Sequence, residues 1–171
     1  FGLVSHAFNE MQEGIAQREA RIVHQARHDG LTGLPNRLAL RDRIGVALAR
    51  SARSKEAGAL LLVDIVAFKA INDSLGHDTG DQVLQEVSRR LSAQARSADT
   101  VARYGGNGFV LLLEDVGEVA VRQAARRILD CTAEPLRLPE AQVRIDLTVG
   151  ICLFPAHGDD AETLLRRAEI A

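Results

Sequence analysis

The sequence predicts an α+β fold, a mainly antiparallel sheet covered by helices and close to the ferredoxin-like topology, with an N-terminal coiled-coil helix. Three observations carry this. The run GALLLVDI is continuously apolar up to Asp64, as a central strand covered on both faces must be. The segments VARY and FVLLLE flank the glycines of GGNG as the arms of a hairpin. The order helix, strand, helix, hairpin, helix, strand, helix repeats no single β-α unit, which excludes a Rossmann arrangement, and no Walker-type glycine loop is present.

Taken in order, residues 1–27 read as a heptad-like helix. Val4, Phe8, Met11, Ile15 and Ile22 follow spacings of four and three, with Arg18 at the missing seam position. This stripe has no core of its own, so a parallel second chain is expected to cover it; a helix folded back on the domain is the alternative. Gly30, Gly33 and Pro35 then break the helix, and Asn36 is placed to cap RLALRDRIGVALARSAR. After GALLLVDI comes AFKAINDSLGHDTG, a loop with a helical turn. DQVLQEVSRRLSAQA then puts Val83, Leu84, Val87 and Leu91 on one helical face. The hairpin, the helix VAVRQAARRILDCTAEP and the alternating strand VRIDLTVGICLF follow, and a last helix starts near Asp159.

With 171 residues, 46% of them apolar and 26% charged, the chain is expected to build one core plus an appendage. A net charge of -2 gives no global attraction for nucleic acid, so an anionic ligand must be held by a local site. Cys131 and Cys152 lie far apart without metal-ligand spacing and read as buried thiols of a reducing compartment, which favours the cytoplasm. No apolar run reaches the roughly 20 residues of a membrane span. The chain starts mid-pattern at Phe1 and stops mid-helix at Ala171, which suggests a piece of a longer protein.

Chemistry is expected where GALLLVDI meets the hairpin. A carboxylate such as Asp64 at a strand end, beside the carbonyl of Ile65, suits Mg²⁺, which takes oxygen ligands and bridges carboxylates to phosphates. Gly105 and Gly106 allow positive φ and the close approach of a bulky ligand. An ordinary hairpin turn beside a strand-ending aspartate is the plain alternative.

Four stretches then carry a resemblance: DGLTGLPNR (29–37), DIVAFKAINDSLGHDTGD (64–81), RYGGNGF (103–109) and TVGICLFPAHGDDAETLLRRAEIA (148–171). In this order they resemble the GGDEF family of diguanylate cyclase domains. The resemblance implies a cyclase/polymerase-palm fold over residues 28–171, truncated at its C-terminal end. It also implies condensation of two GTP molecules into cyclic di-GMP by a dimer, each subunit presenting one GTP. By position, Asp64 and the Ile65 carbonyl would hold the metal, Asn72 and Asp81 would read guanine, and the backbone at Ala67 and Phe68 would lie beside the phosphates. An amide and a carboxylate suit the guanine edge; a role for both side chains as loop and helix caps is the alternative.

The signature turn departs from the family. Asn107 and Gly108 stand where the family carries acids, and Val66 replaces another acid common after the first aspartate. Phosphoryl transfer needs metal-centred charge stabilisation. Removing one stabilising group commonly costs about 3–4 kcal/mol, on the order of 10² to 10³ in rate. The resemblance therefore points to a catalytically inactive regulatory module binding GTP or cyclic di-GMP. A weakly active cyclase and a pure dimerisation and transmission element are the alternatives. Arg96 and Asp99 match the RxxD of the family's product-binding inhibitory site, against an ordinary surface pair. AFNEMQEGIAQREARI is similar to the end of a HAMP module and its signalling helix, which implies the cytoplasmic part of an inner-membrane protein and a homodimer. HDGLTGLPNR and the C-terminal stretch look like members followed by an EAL phosphodiesterase domain.

Overall fold

A computed structural model describes residues 1–171. The first helix, α1 (Gly2–Arg27), buries none of its residues, and its stripe of Val4, Phe8, Met11, Ile15 and Ile22 faces solvent. It is not folded back on the domain. Helix α2 (Arg37–Ser54) starts at Asn36, whose Oδ1 accepts from the Ala39 amide at 3.0 Å, the cap expected from the sequence.

Strand β1 (Gly58–Ile65) is central. Helices α3 (Phe68–Leu75) and α4 (His77–Gln94) follow, then the hairpin β2 (Thr100–Gly105) and β3 (Gly108–Leu113), and helix α5 (Glu118–Asp130). A small hairpin, β4 (Leu136–Arg137) with β5 (Gln142–Val143), precedes β6 (Leu147–Phe154) and helix α6 (Ala161–Ile170). The main sheet runs β2-β3-β1-β6, and every pairing in it is antiparallel.

Alternation along β1 explains its unbroken apolar run. Ala59, Leu61, Val63 and Ile65 join Val83, Val87 and Leu91 of α4 and Ile128 of α5 in one core. Leu60 and Leu62 face the other way, against Leu40 and Ile44 of α2 and Leu164 and Leu165 of α6. Both faces of the strand are dry, so both sets must be apolar.

Three elements differ from expectation. The expected strand over 143–154 is interrupted: β5 pairs with β4, and the main ladder resumes at Leu147, while Val143 and Ile145 stay buried in the same core as Ile128 of α5. Helix α5 stops at Asp130 because Arg90 draws the following backbone aside, donating to the carbonyls of Cys131, Glu134 and Pro135. Helix α4 begins at His77, four residues ahead of the expected start at Asp81, since Gly76 at φ 89° breaks the chain between α3 and α4.

Candidate nucleotide site at the sheet end

The end of β1 and the hairpin lie side by side: Asp64 is the ladder partner of Gly108, and the Ile65 amide donates to the Asn107 carbonyl at 3.4 Å. Gly105 and Gly106 take φ of 146° and 50°, the left-handed conformations that favour glycine. Gly108 is buried, and a Cβ there would stand 2.9 Å from Asp64 Oδ1. Partial burial, and after it the Glu169 carboxylate, raise the pKa of Asp64. The half-buried Asn107 turns its amide onto the neighbouring strand, and Nδ2 donates to the Ile65 carbonyl at 2.7 Å.

Sheet alternation sorts the neighbours onto two faces. On the α2 and α6 side, the Tyr104 hydroxyl donates to Glu169 at 2.9 Å, and Arg37 lies 4.7 Å above the Tyr104 ring. Close docking of α6 brings Glu169 there, because a Cβ on Gly150 would come within 2.1 Å of the Ala168 carbonyl oxygen. On the opposite face Arg103 lies with its side chain 10% exposed and its guanidinium 5.2 Å from the Phe109 ring centre. It donates through Nη2 to the Gly106 carbonyl and sits 3.9 Å from Asp29, while its Nε and Nη1 have no hydrogen-bond partner. Burial pushes the Arg103 pKa down, and the nearby Asp29 and Asp81 carboxylates oppose that. Its backbone amide also donates to Pro35 at 2.8 Å, so the turn that follows α1 is tied to the strand leading into the hairpin.

The expected base readers sit on α3 and α4. Asn72 Oδ1 is buried without a partner, and a Cβ on Gly80 would lie 1.8 Å from it, so this glycine makes the seat for the amide. Asp81 follows Gly80 directly and is exposed. Neither side chain caps a helix, since α3 and α4 both start without a side-chain cap bond. Ala67, in the left-handed conformation at φ 53°, and Phe68 open α3 beside the end of β1.

The donor set fits a resident Mg²⁺ poorly. Asp64 is the one charged group of the expected pair, the Ile65 carbonyl already accepts from Asn107, and Gly108 has no side chain. No group of three or more His, Cys, Asp or Glu side chains comes together anywhere in the chain. Arg96 and Asp99 are brought together, but chiefly with each other. Arg96 meets Asp99 through its backbone amide at 2.8 Å, Nε at 3.2 Å and Nη2 at 2.9 Å, next to a cavity lined by Leu111, Val116 and Arg127.

Sequence reasoning passed over Arg103, Asp29, Tyr104 and Glu169 as site neighbours. For Arg103 and Tyr104, strand alternation beside the glycines was an available signal. Glu169 had none, because only the docking of α6 brings it near Asp64.

The chain matches the family described as diguanylate cyclase, GGDEF domain, over residues 26–171. It is 37% identical over 173 residues to the diguanylate cyclase TpbB of Pseudomonas aeruginosa, covering 100% of this chain and 40% of that protein. It is 36% identical over 157 residues to the bifunctional diguanylate cyclase/cyclic di-GMP phosphodiesterase MucR of the same organism, covering 92% of this chain and 23% of MucR. The chain thus spans well under half the length of these curated relatives. Among solved structures, the coiled coil and GGDEF domain of DgcB from Caulobacter crescentus, in complex with c-di-GMP, superposes with a TM-score of 0.85 at 26% identity, covering 100% of this chain and 92% of that one. Fold, motif order and these likenesses agree: the chain belongs to the GGDEF family of diguanylate cyclase domains.

Proposed function

We propose that this domain is a catalytically inactive GGDEF module that binds a guanine nucleotide, GTP or cyclic di-GMP, and regulates a cyclic di-GMP signalling protein. One observation carries the reading: the seat for Asn72 over Gly80, next to Asp81, persists while the hairpin has Asn107 and Gly108 in place of acids. Recognition and catalysis draw on different residues here, so one can survive the other. The buried, unpartnered Asn72 Oδ1 supports a polar ligand at this seat, since such an atom is costly to leave unpaired. Mg²⁺, the cation of active relatives, finds Asp64 as its one charged ligand here, so the protein itself holds the ion weakly. Arg96 and Asp99, already paired, are a candidate second site for cyclic di-GMP.

The exposed apolar stripe of α1 supports a homodimer through a parallel coiled coil, which would deliver a signal to the hairpin by way of the Pro35 and Asp29 contacts with Arg103. The HAMP-like stretch of α1 motivates an inner-membrane parent with this portion in the cytoplasm, and the likeness to the bifunctional MucR supports an EAL phosphodiesterase domain downstream; membrane fractionation of the full-length protein tests that placement. Isothermal titration with GTP and with cyclic di-GMP tests the ligand, and incubation with GTP tests for product. Binding without turnover is expected. Cyclic di-GMP that forms over hours and vanishes in Asp64→Ala would establish a slow cyclase instead, and no binding of either nucleotide would leave a pure transmission element.

A further inference from the structure

We infer that the Asn107 amide has taken the place of a divalent cation between the hairpin and β1, so that the domain holds its guanine nucleotide without one. The inference rests on the nucleotide-binding reading above and concerns how that same site works. An ion shared between the two elements would need an oxygen ligand from each, at about 2.0–2.1 Å in the case of Mg²⁺. The structure has a direct contact instead: Asn107 Nδ2 lies 2.7 Å from the Ile65 carbonyl oxygen. A carbonyl can only accept, so the amide must present its nitrogen there, which sets the positive end of its dipole against the oxygen that a cation would need. The bond is held in place by the backbone, because the Ile65 amide donates in return to the Asn107 carbonyl at 3.4 Å.

The surroundings offer the cation little compensation. Gly108 adds no ligand, and a Cβ there would stand 2.9 Å from Asp64 Oδ1 and 3.3 Å from the Gly105 carbonyl oxygen. The hairpin keeps its attachment to β1 through a neutral hydrogen bond, and the cation loses both a ligand and the charge that would hold it.

The test compares the native chain with Asn107→Asp, which replaces the donor by an acceptor carrying charge, and with Asn107→Ala, which frees the carbonyl without adding charge. GTP affinity is measured by isothermal titration in EDTA and in excess Mg²⁺. Native affinity should change less than twofold between the two, while Asn107→Asp should bind at least tenfold more tightly with Mg²⁺. A tenfold gain with Mg²⁺ in the native chain would overturn the inference. Separately, Mn²⁺ is titrated without nucleotide and its free spin-resonance signal followed. Asn107→Asp should quench that signal at concentrations that leave it intact with the native chain, and Asn107→Ala should fall between them. Equal Mn²⁺ binding by native and Asn107→Asp would overturn the inference even if the titrations detect no GTP binding. Absence of GTP binding alone would defeat the nucleotide reading, and the Mn²⁺ comparison would then decide whether the Asn107 amide stands in the cation's place. Circular dichroism checks that both variants fold.

Discussion

Replacing Gly80 by alanine should separate stability from recognition. The new Cβ would lie 1.8 Å from Asn72 Oδ1, so the amide must retreat by well over an ångström and leave its seat. Leaving is inexpensive, because that oxygen is buried with no partner. In the helix interior, alanine in place of glycine is worth up to about 1 kcal/mol. Folding stability should therefore hold or rise, with a Tm gain of about 2–4 °C for each kcal/mol in a chain of this size. Nucleotide affinity should fall, since a lost base contact that leaves its partner unpaired costs about 1–3 kcal/mol, roughly five- to 150-fold in Kd. Thermal unfolding and isothermal titration with GTP read the two arms. A Tm lowered by more than about 3 °C, on the order of 1 kcal/mol, would show that the seated amide holds the α3–α4 pair together. A Kd within twofold of native would show that Asn72 does not read the base.

Two further predictions follow from packing. Gly150→Ala drives a Cβ to 2.1 Å from the Ala168 backbone carbonyl, which cannot swing aside like a side-chain tip. It should lift the last turn of α6 and cost about 1–3 kcal/mol, seen as a lower urea midpoint at unchanged m; a shift below about 0.5 kcal/mol would mean that α6 is not docked there. Ile15→Glu puts a charge in the exposed α1 stripe, far from either core. Sedimentation should then find a monomer where the native chain is a dimer, with the Tm of the core unchanged; a native chain that sediments as a monomer would remove the coiled-coil proposal.

Much of the fold was legible in local patterns. Continuous apolarity placed GALLLVDI at the centre of the sheet, and Asn36 announced the cap it makes at Ala39. The small β4–β5 hairpin was not legible, because two-residue strands leave no periodicity to read. The early end of α5 was not legible either, since it depends on Arg90 reaching across from α4 to the carbonyls of Cys131, Glu134 and Pro135.

At the site, the sequence by itself determined which groups are present. It supplied Asp64, Asn72 and Asp81 and withheld acids at Asn107 and Gly108, and no folding can restore a charge that the residues lack. Tertiary structure decided what those groups do to one another. The turn of the Asn107 amide onto Ile65, the seat that Gly80 leaves for Asn72, and the approach of Glu169 to Asp64 each join residues from different elements. Such contacts depend on register and docking distances of a few ångströms, which one-dimensional spacing does not encode.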